Sequence, residues 1–173
     1  MSLTGIFVDD AGTPGADTPS KYLPEHRKSW CAVIIPKEVS NDVSIAMTIF
    51  TEGVKQDFNA EELHFTDIYS GRGPWKSISL EKRIKMFDLM FSVLKSFNLP
   101  VFYQTWSKDT TNDAKKIFEN LRKTKFDLWD FKRVDHCGLI FLLFRMRNTI
   151  KENKSLTSAF DSRFQIYVDE GIA

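Results

Sequence analysis

Two apolar segments that each end in acidic residues constrain the fold of this chain more than any other feature. Near the start, Gly5–Val8 leads into Asp9, Asp10 and a turn, and near the end Phe164–Val168 leads into a second acidic pair, Asp169-Glu170. Both runs are rich in strand-forming residues, so each predicts a β-strand that delivers carboxylates at its C-terminal end. If the two strands are neighbours, three or four carboxylates converge, and such a cluster destabilises a fold unless a cation lies among them.

The acidic residues after these strands are candidate metal ligands. Carboxylate oxygens suit Mg²⁺ or Mn²⁺, so the expected ligands are Asp9, Asp10, Asp169 and Glu170. The alternative is that acids at strand ends are ordinary turn residues. The presence of two matching strands leaves both interpretations open.

Length and composition narrow the class of protein. The chain has 173 residues, enough for one domain with a substantial core, and its hydrophobic (42%) and charged (27%) fractions are typical of a globular protein. A net charge of +1 provides no overall attraction to nucleic acid or to a membrane. The longest apolar run, Gly138–Phe144, is too short to span a bilayer, so no membrane partner is expected. Cys31 and Cys137 lie in apolar segments and no signal peptide is visible, which predicts reduced thiols in a cytoplasmic protein.

The pattern of apolar residues predicts eight elements. Strands are expected at residues 4–9, 29–36, 101–107 and 164–168, and helices at 39–56, from Leu80 to the Leu99-Pro100 break, at 113–121 and at 134–151. Residues 57–77 are predicted to be irregular. This order indicates a single α/β domain, residues 1–173, with a mixed sheet. Because nothing follows the last strand to cover it, we expect a chain that is truncated or short at its C-terminus.

Glu62 and His64 form a second candidate site in the irregular middle of the chain. Two residues that are two apart in an extended segment can face the same metal, and a histidine can act as an acid or a base near neutral pH. The alternative is a surface loop with a hydrogen-bonded histidine, which on sequence alone is the preferred interpretation.

A basic stretch at residues 115–133 is a candidate nucleic-acid surface. Residues 115–154 contain 11 Lys or Arg against 5 Asp or Glu, and aromatic rings alternate with the charges at Phe126, Trp129 and Phe131. Cations with stacking rings suit single-stranded nucleic acid, although a solvated helix face produces the same pattern. No organic cofactor is expected, because Gly71-Arg72-Gly73-Pro74 lacks the Lys-Ser/Thr end of a phosphate-binding loop.

Taken in order, these short motifs resemble the bacterial and prophage proteins grouped as domain of unknown function 3800. That family opens with a strand ending in Asp-Glu-Ser-Gly, here Asp9–Gly12. It continues with a Glu-Leu-His motif, here Glu62–His64, and a later strand ending in Asp-Glu, here Asp169-Glu170. The resemblance covers almost the whole chain, although Asp10-Ala11 replaces Glu-Ser and the family's next acid-bearing helix is absent.

The resemblance implies a ribonuclease-H-like fold, with three antiparallel strands and a fourth strand parallel to the first. It also implies metal ligands at Asp9 and Asp169, with Glu62 and His64 as nearby catalytic candidates and Asp10 and Glu170 as supporting acids. The expected function is divalent-metal-dependent cleavage of phosphodiesters, of phage or phage-defence type. The alternative is a non-catalytic binding or assembly module of the same fold that forms homo-oligomers.

Overall fold

The computed structural model describes residues 4–12, 27–107, 110, 115–121, 123, 131, 133–153 and 163–168. The chain forms two compact units: a sheet unit of residues 3–34 and 101–173, and a helical unit of residues 35–100. The sequence predicted a single α/β domain.

Four strands form one mixed sheet. They are β1 (Thr4–Ala11), β2 (Arg27–Ile35), β3 (Val101–Ser107) and β4 (Phe164–Val168), and their order across the sheet is β3-β2-β1-β4. β4 runs parallel to β1, with Val8 opposite Val168, and β2 pairs antiparallel with β3. This arrangement confirms the predicted α/β class, with three antiparallel strands and a parallel fourth strand beside the first.

Five helices accompany the strands in the part of the chain that the structure describes. They are α1 (Ser40–Phe58), α2 (Phe65–Ser70), α3 (Leu80–Ser96), α4 (Lys115–Leu121) and α5 (Val134–Glu152), with a 3₁₀ turn at Gly73–Ser77. Among the described residues, no helix combines the length and the hydropathy needed to cross a membrane.

The core of the sheet unit lies between one face of the sheet and α5. Trp30 at its centre is fully buried and meets Trp106 edge-on, with 5.0 Å between the ring centroids. Helix α5 approaches this face closely at Gly138, whose carbonyl accepts a hydrogen bond of 3.4 Å from Gln104 Nε2. The buried residues of this core are Ile6, Val8, Trp30, Ala32, Ile34, Trp106, Phe131, Cys137, Leu139, Leu142 and Met146.

The helical unit has its own small core, made of Val54, Ala60, Ile68, Trp75 and Met86. Helix α3 begins as predicted, because Ser79 caps it by accepting a hydrogen bond from the Lys82 backbone N–H.

Residues 57–77 were predicted to be irregular, but they contain α2 and the 3₁₀ turn. The prediction was wrong because six residues are too few to show a helical period. Gly71 terminates helix α2 in a left-handed conformation (φ 65°). The next backbone N–H, of Arg72, donates to the Asp67 carbonyl at 2.9 Å. The Arg83 guanidinium donates further hydrogen bonds to the Ile68 and Tyr69 carbonyls at the same helix end.

Candidate metal centre

Asp9 lies at the C-terminal end of β1, on the face of the sheet opposite the α5 core. Successive strand residues point to opposite faces, and in β1 Val8 is buried whereas Phe7 and Asp9 are exposed. Asp9 Oδ1 accepts a hydrogen bond of 2.7 Å from the Asp10 backbone N–H. Among the described residues no ion pair involves Asp9.

Asp10 points to the other face, where Lys28 holds it. Lys28 Nζ lies 2.8 Å from Asp10 Oδ1, and the two side chains are only 9% and 17% exposed. Asp10 Oδ2 is buried and finds no hydrogen-bond partner within the described residues. The sequence grouped Asp10 with Asp9 as a metal ligand. In the structure the two side chains face opposite sides of the strand, and the Lys28 ammonium neutralises the Asp10 carboxylate. We therefore assign Asp10 to this internal ion pair.

The second pair of predicted ligands, Asp169 and Glu170, lies outside the described residues. The strand that precedes them is described, however, and its register with β1 runs from Thr4 opposite Phe164 to Val8 opposite Val168. Asp9 and Asp169 are therefore the next residues along two register-matched parallel strands. Neighbouring strands are about 4.8 Å apart, a spacing at which carboxylates that share a face can bind one cation.

The pKa of Cys31, on β2, is affected by the charge of Asp9. Burial raises the pKa of the Cys31 thiol, and the negative charge of Asp9 raises this pKa further. The sequence treated Cys31 only as a buried thiol. Cys31 lies between Trp30 and Ala32, which are both buried on the α5 side of the sheet. Because successive strand residues face opposite sides, the sequence could have indicated that Cys31 faces the side of Asp9.

Glu62 and His64 contact each other in the helical unit. His64 Nε2 lies 2.8 Å from Glu62 Oε2, and the side chains of His64 and Glu62 are 63% and 75% exposed. His64 also precedes α2, and its carbonyl accepts from the N–H groups of Asp67 and Ile68. The structure therefore agrees with the preferred interpretation from the sequence, an exposed loop with a hydrogen-bonded histidine. A catalytic role for this pair is a proposal.

Most of the basic stretch at 115–133 lies outside the described residues, including Phe126 and Trp129. Lys116 and Lys123 are exposed. Phe131, which was expected to stack on bases, is 5% exposed and belongs to the core of the sheet unit. Because a buried ring cannot stack on a base, we remove Phe131 from the candidate nucleic-acid surface.

Within the described ranges, no group of three or more His, Cys, Asp or Glu side chains is arranged to hold a metal ion. Two of the four expected acidic ligands are outside those ranges. No protein-family model, no curated protein and no solved structure matches this chain.

The Cys31 thiol should report on the charge at Asp9. Only the thiolate is alkylated, so a raised pKa slows the reaction at neutral pH. We expect Asp9→Asn to lower the pKa of Cys31 and to speed its alkylation by iodoacetamide severalfold. Mass spectrometry of the modified peptide measures the rate at this thiol.

The matched control is Glu152→Gln, which removes an exposed acid on α5 and should leave the Cys31 rate unchanged. Equal rates in wild type and Asp9→Asn would show that the carboxylate does not act on this thiol.

Proposed function

We propose that the chain is a divalent-metal-dependent nuclease or phosphodiesterase of phage or phage-defence type, related to the domain of unknown function 3800 proteins. The supporting observation is the parallel pairing of β1 with β4, in which Val8 and Val168 are the last register partners before Asp9 and Asp169. The sheet order matches the arrangement implied by a ribonuclease-H-like fold.

The residues present suit Mg²⁺ or Mn²⁺. Asp9 offers hard oxygen donors on an exposed strand end, and no Lys or Arg among the described residues neutralises it. A divalent cation held there supplies charge neutralisation at the phosphate and activation of water. Asp169 is the proposed second ligand and Glu170 a supporting acid.

Glu62 and His64 are the proposed proton-transfer residues. The Glu62 carboxylate lies 2.8 Å from the His64 imidazole, so the two side chains form one hydrogen-bonded pair. In this role either side chain of the pair accepts or donates a proton.

Asp9→Asn should abolish cleavage without unfolding the protein, because Asn keeps the shape of the side chain and removes the charge that binds the metal. The assay is Mn²⁺-dependent cleavage of labelled single-stranded DNA, double-stranded DNA and RNA, with circular dichroism to verify folding. Asp88→Asn, at an exposed acid of α3, is the matched control and should retain full activity. Cleavage that survives in Asp9→Asn would overturn the assignment of Asp9.

A non-catalytic binding or assembly module of the same fold is the second candidate. One observation favours it: helix α3 exposes large apolar residues, with Leu80 49%, Ile84 43% and Phe91 55% exposed. A chain of this kind would bind a partner without metal and would show no turnover on any of the three substrates.

A further inference from the structure

Helix α3 carries an apolar stripe with the spacing of a helix-pairing seam. We use the name α3 stripe for Leu80, Ile84, Phe87, Phe91 and Leu94, which follow one another at intervals of 4, 3, 4 and 3 residues. A strict alternation of this kind places one side chain per turn along a narrow line, which is the pattern that a partner helix fills.

Three of the five residues on this line are exposed, whereas Phe87 packs against the core of the helical unit. Helix α3 contributes Met86 to the core, at 7% exposed, whereas Leu80, Ile84 and Phe91 are between 43% and 55% exposed. Contiguous exposed apolar surface of this kind marks an interaction site.

Helix α2 extends the apolar surface sideways. Phe65 lies against Phe87, with 4.8 Å between ring centroids, and stacks on Tyr69 at 5.9 Å. Phe65 is 61% exposed. The surface is therefore wider than a single helix, so a partner that brings two helices of its own fits it better than an isolated peptide does.

We propose that the α3 stripe binds the α3 stripe of a second copy of this chain, with the two helices antiparallel. The charges at the ends of α3 support this orientation. Glu81 lies in the first turn and Lys95 in the last turn. A two-fold axis across the helix brings each Glu81 toward Lys95 of the other copy, and it also aligns the helix dipoles favourably. Parallel pairing would instead put both Glu81 side chains at one end of the dimer and both Lys95 side chains at the other, with the helix dipoles opposed.

Two features favour a protein partner over nucleic acid. The centre of the stripe is apolar, and its flanks carry both signs of charge, as the Lys85–Glu81 ion pair at 3.1 Å shows. A nucleic-acid groove requires a continuous basic track. Self-association is independent of the proposed metal site, so Asp9→Asn should form the same dimer.

Sedimentation equilibrium from about 1 to 100 µM tests the proposal. We expect the wild type to be a dimer at tens of micromolar. Ile84→Glu should raise the dimer dissociation constant by at least about 100-fold, because it places two charges in the apolar contact. The control is Ile49→Glu, the same change at a position on α1 that is 66% exposed and outside the stripe, which should leave the dimer intact.

A charge exchange tests the orientation with variants that do not disturb the core. Glu81→Lys should weaken the dimer about tenfold by opposing Lys95, and Glu81→Lys with Lys95→Glu should restore wild-type affinity. A wild-type chain that stays monomeric at every concentration would overturn the proposal. So would a monomer whose binding to single-stranded DNA, without metal, is lost in Ile84→Glu, because the stripe would then be a nucleic-acid surface.

Discussion

Replacing Gly138 by Ala is expected to destabilise the protein by about 2–3 kcal/mol, even though Ala is the better helix former. A Cβ on residue 138 would overlap the six-membered ring of Trp30. That ring cannot move aside easily, because Trp30 is fully buried and packs edge-on against Trp106. Helix α5 would have to shift away from the sheet, which loosens the whole core. Urea denaturation followed by tryptophan fluorescence measures the loss.

Gly53 provides the matched control, since it also lies within a helix. A Cβ added there meets no atom within 4 Å. Gly53→Ala should therefore stabilise the protein by about 0.5–1 kcal/mol through helix propensity alone. Equal effects of the two substitutions would show that α5 does not approach the sheet closely at Gly138.

Lys28→Met is expected to cost about 3 kcal/mol of stability, because it leaves the Asp10 carboxylate buried without its cation. Both side chains of this pair are largely inaccessible to water, and Asp10 already has one oxygen without a hydrogen-bond partner among the described residues. The same substitution at an exposed pair is the control. Lys55 lies 2.6 Å from Glu61, but these side chains are 57% and 72% exposed. Lys55→Met should change the unfolding free energy by less than about 0.5 kcal/mol.

A double variant separates the charge effect from lost packing around Lys28. Lys28→Met combined with Asp10→Leu replaces the ion pair by two apolar side chains, which is often neutral or stabilising at buried sites. The double variant should therefore recover most of the stability lost in Lys28→Met. If it is no more stable than the single variant, the cost comes from packing and not from the unpaired carboxylate.

The positions of the strands could be predicted because their signals are local and strong. The β1 and β4 segments are short apolar runs followed by acids, and the parallel pairing of β1 with β4 followed from the family resemblance. Helix α3 was equally clear, since Ser79 caps it and its apolar residues recur regularly. Which side of α3 is buried could not be predicted, because periodicity identifies an apolar line without identifying what covers it.

Other features depend on contacts between residues distant in sequence. Strand alternation alone could have shown that Asp10 and Asp9 face opposite sides of the sheet. Nothing near Asp10 in the sequence, however, indicates that Lys28 forms an ion pair with it. Helix α2 depends on the turn at Gly71 and on hydrogen bonds from Arg83, which is 12 residues further along the chain. An exposed, hydrogen-bonded histidine at position 64 was one of the two predicted alternatives. Asp169 and Glu170 remain predictions.

Anomalous diffraction from a crystal of this chain soaked in Mn²⁺ tests the proposed metal centre most directly. We predict a peak between the carboxylates of Asp9 and Asp169, with Mn–O distances of about 2.2 Å, and no peak in an Asp9→Asn crystal treated in the same way. The contrary result is an absence of density in the wild type, with the two carboxylates more than about 8 Å apart or bonded to basic side chains. That result would remove the basis for a metal-dependent nuclease and leave the binding or assembly module as the better description of the chain.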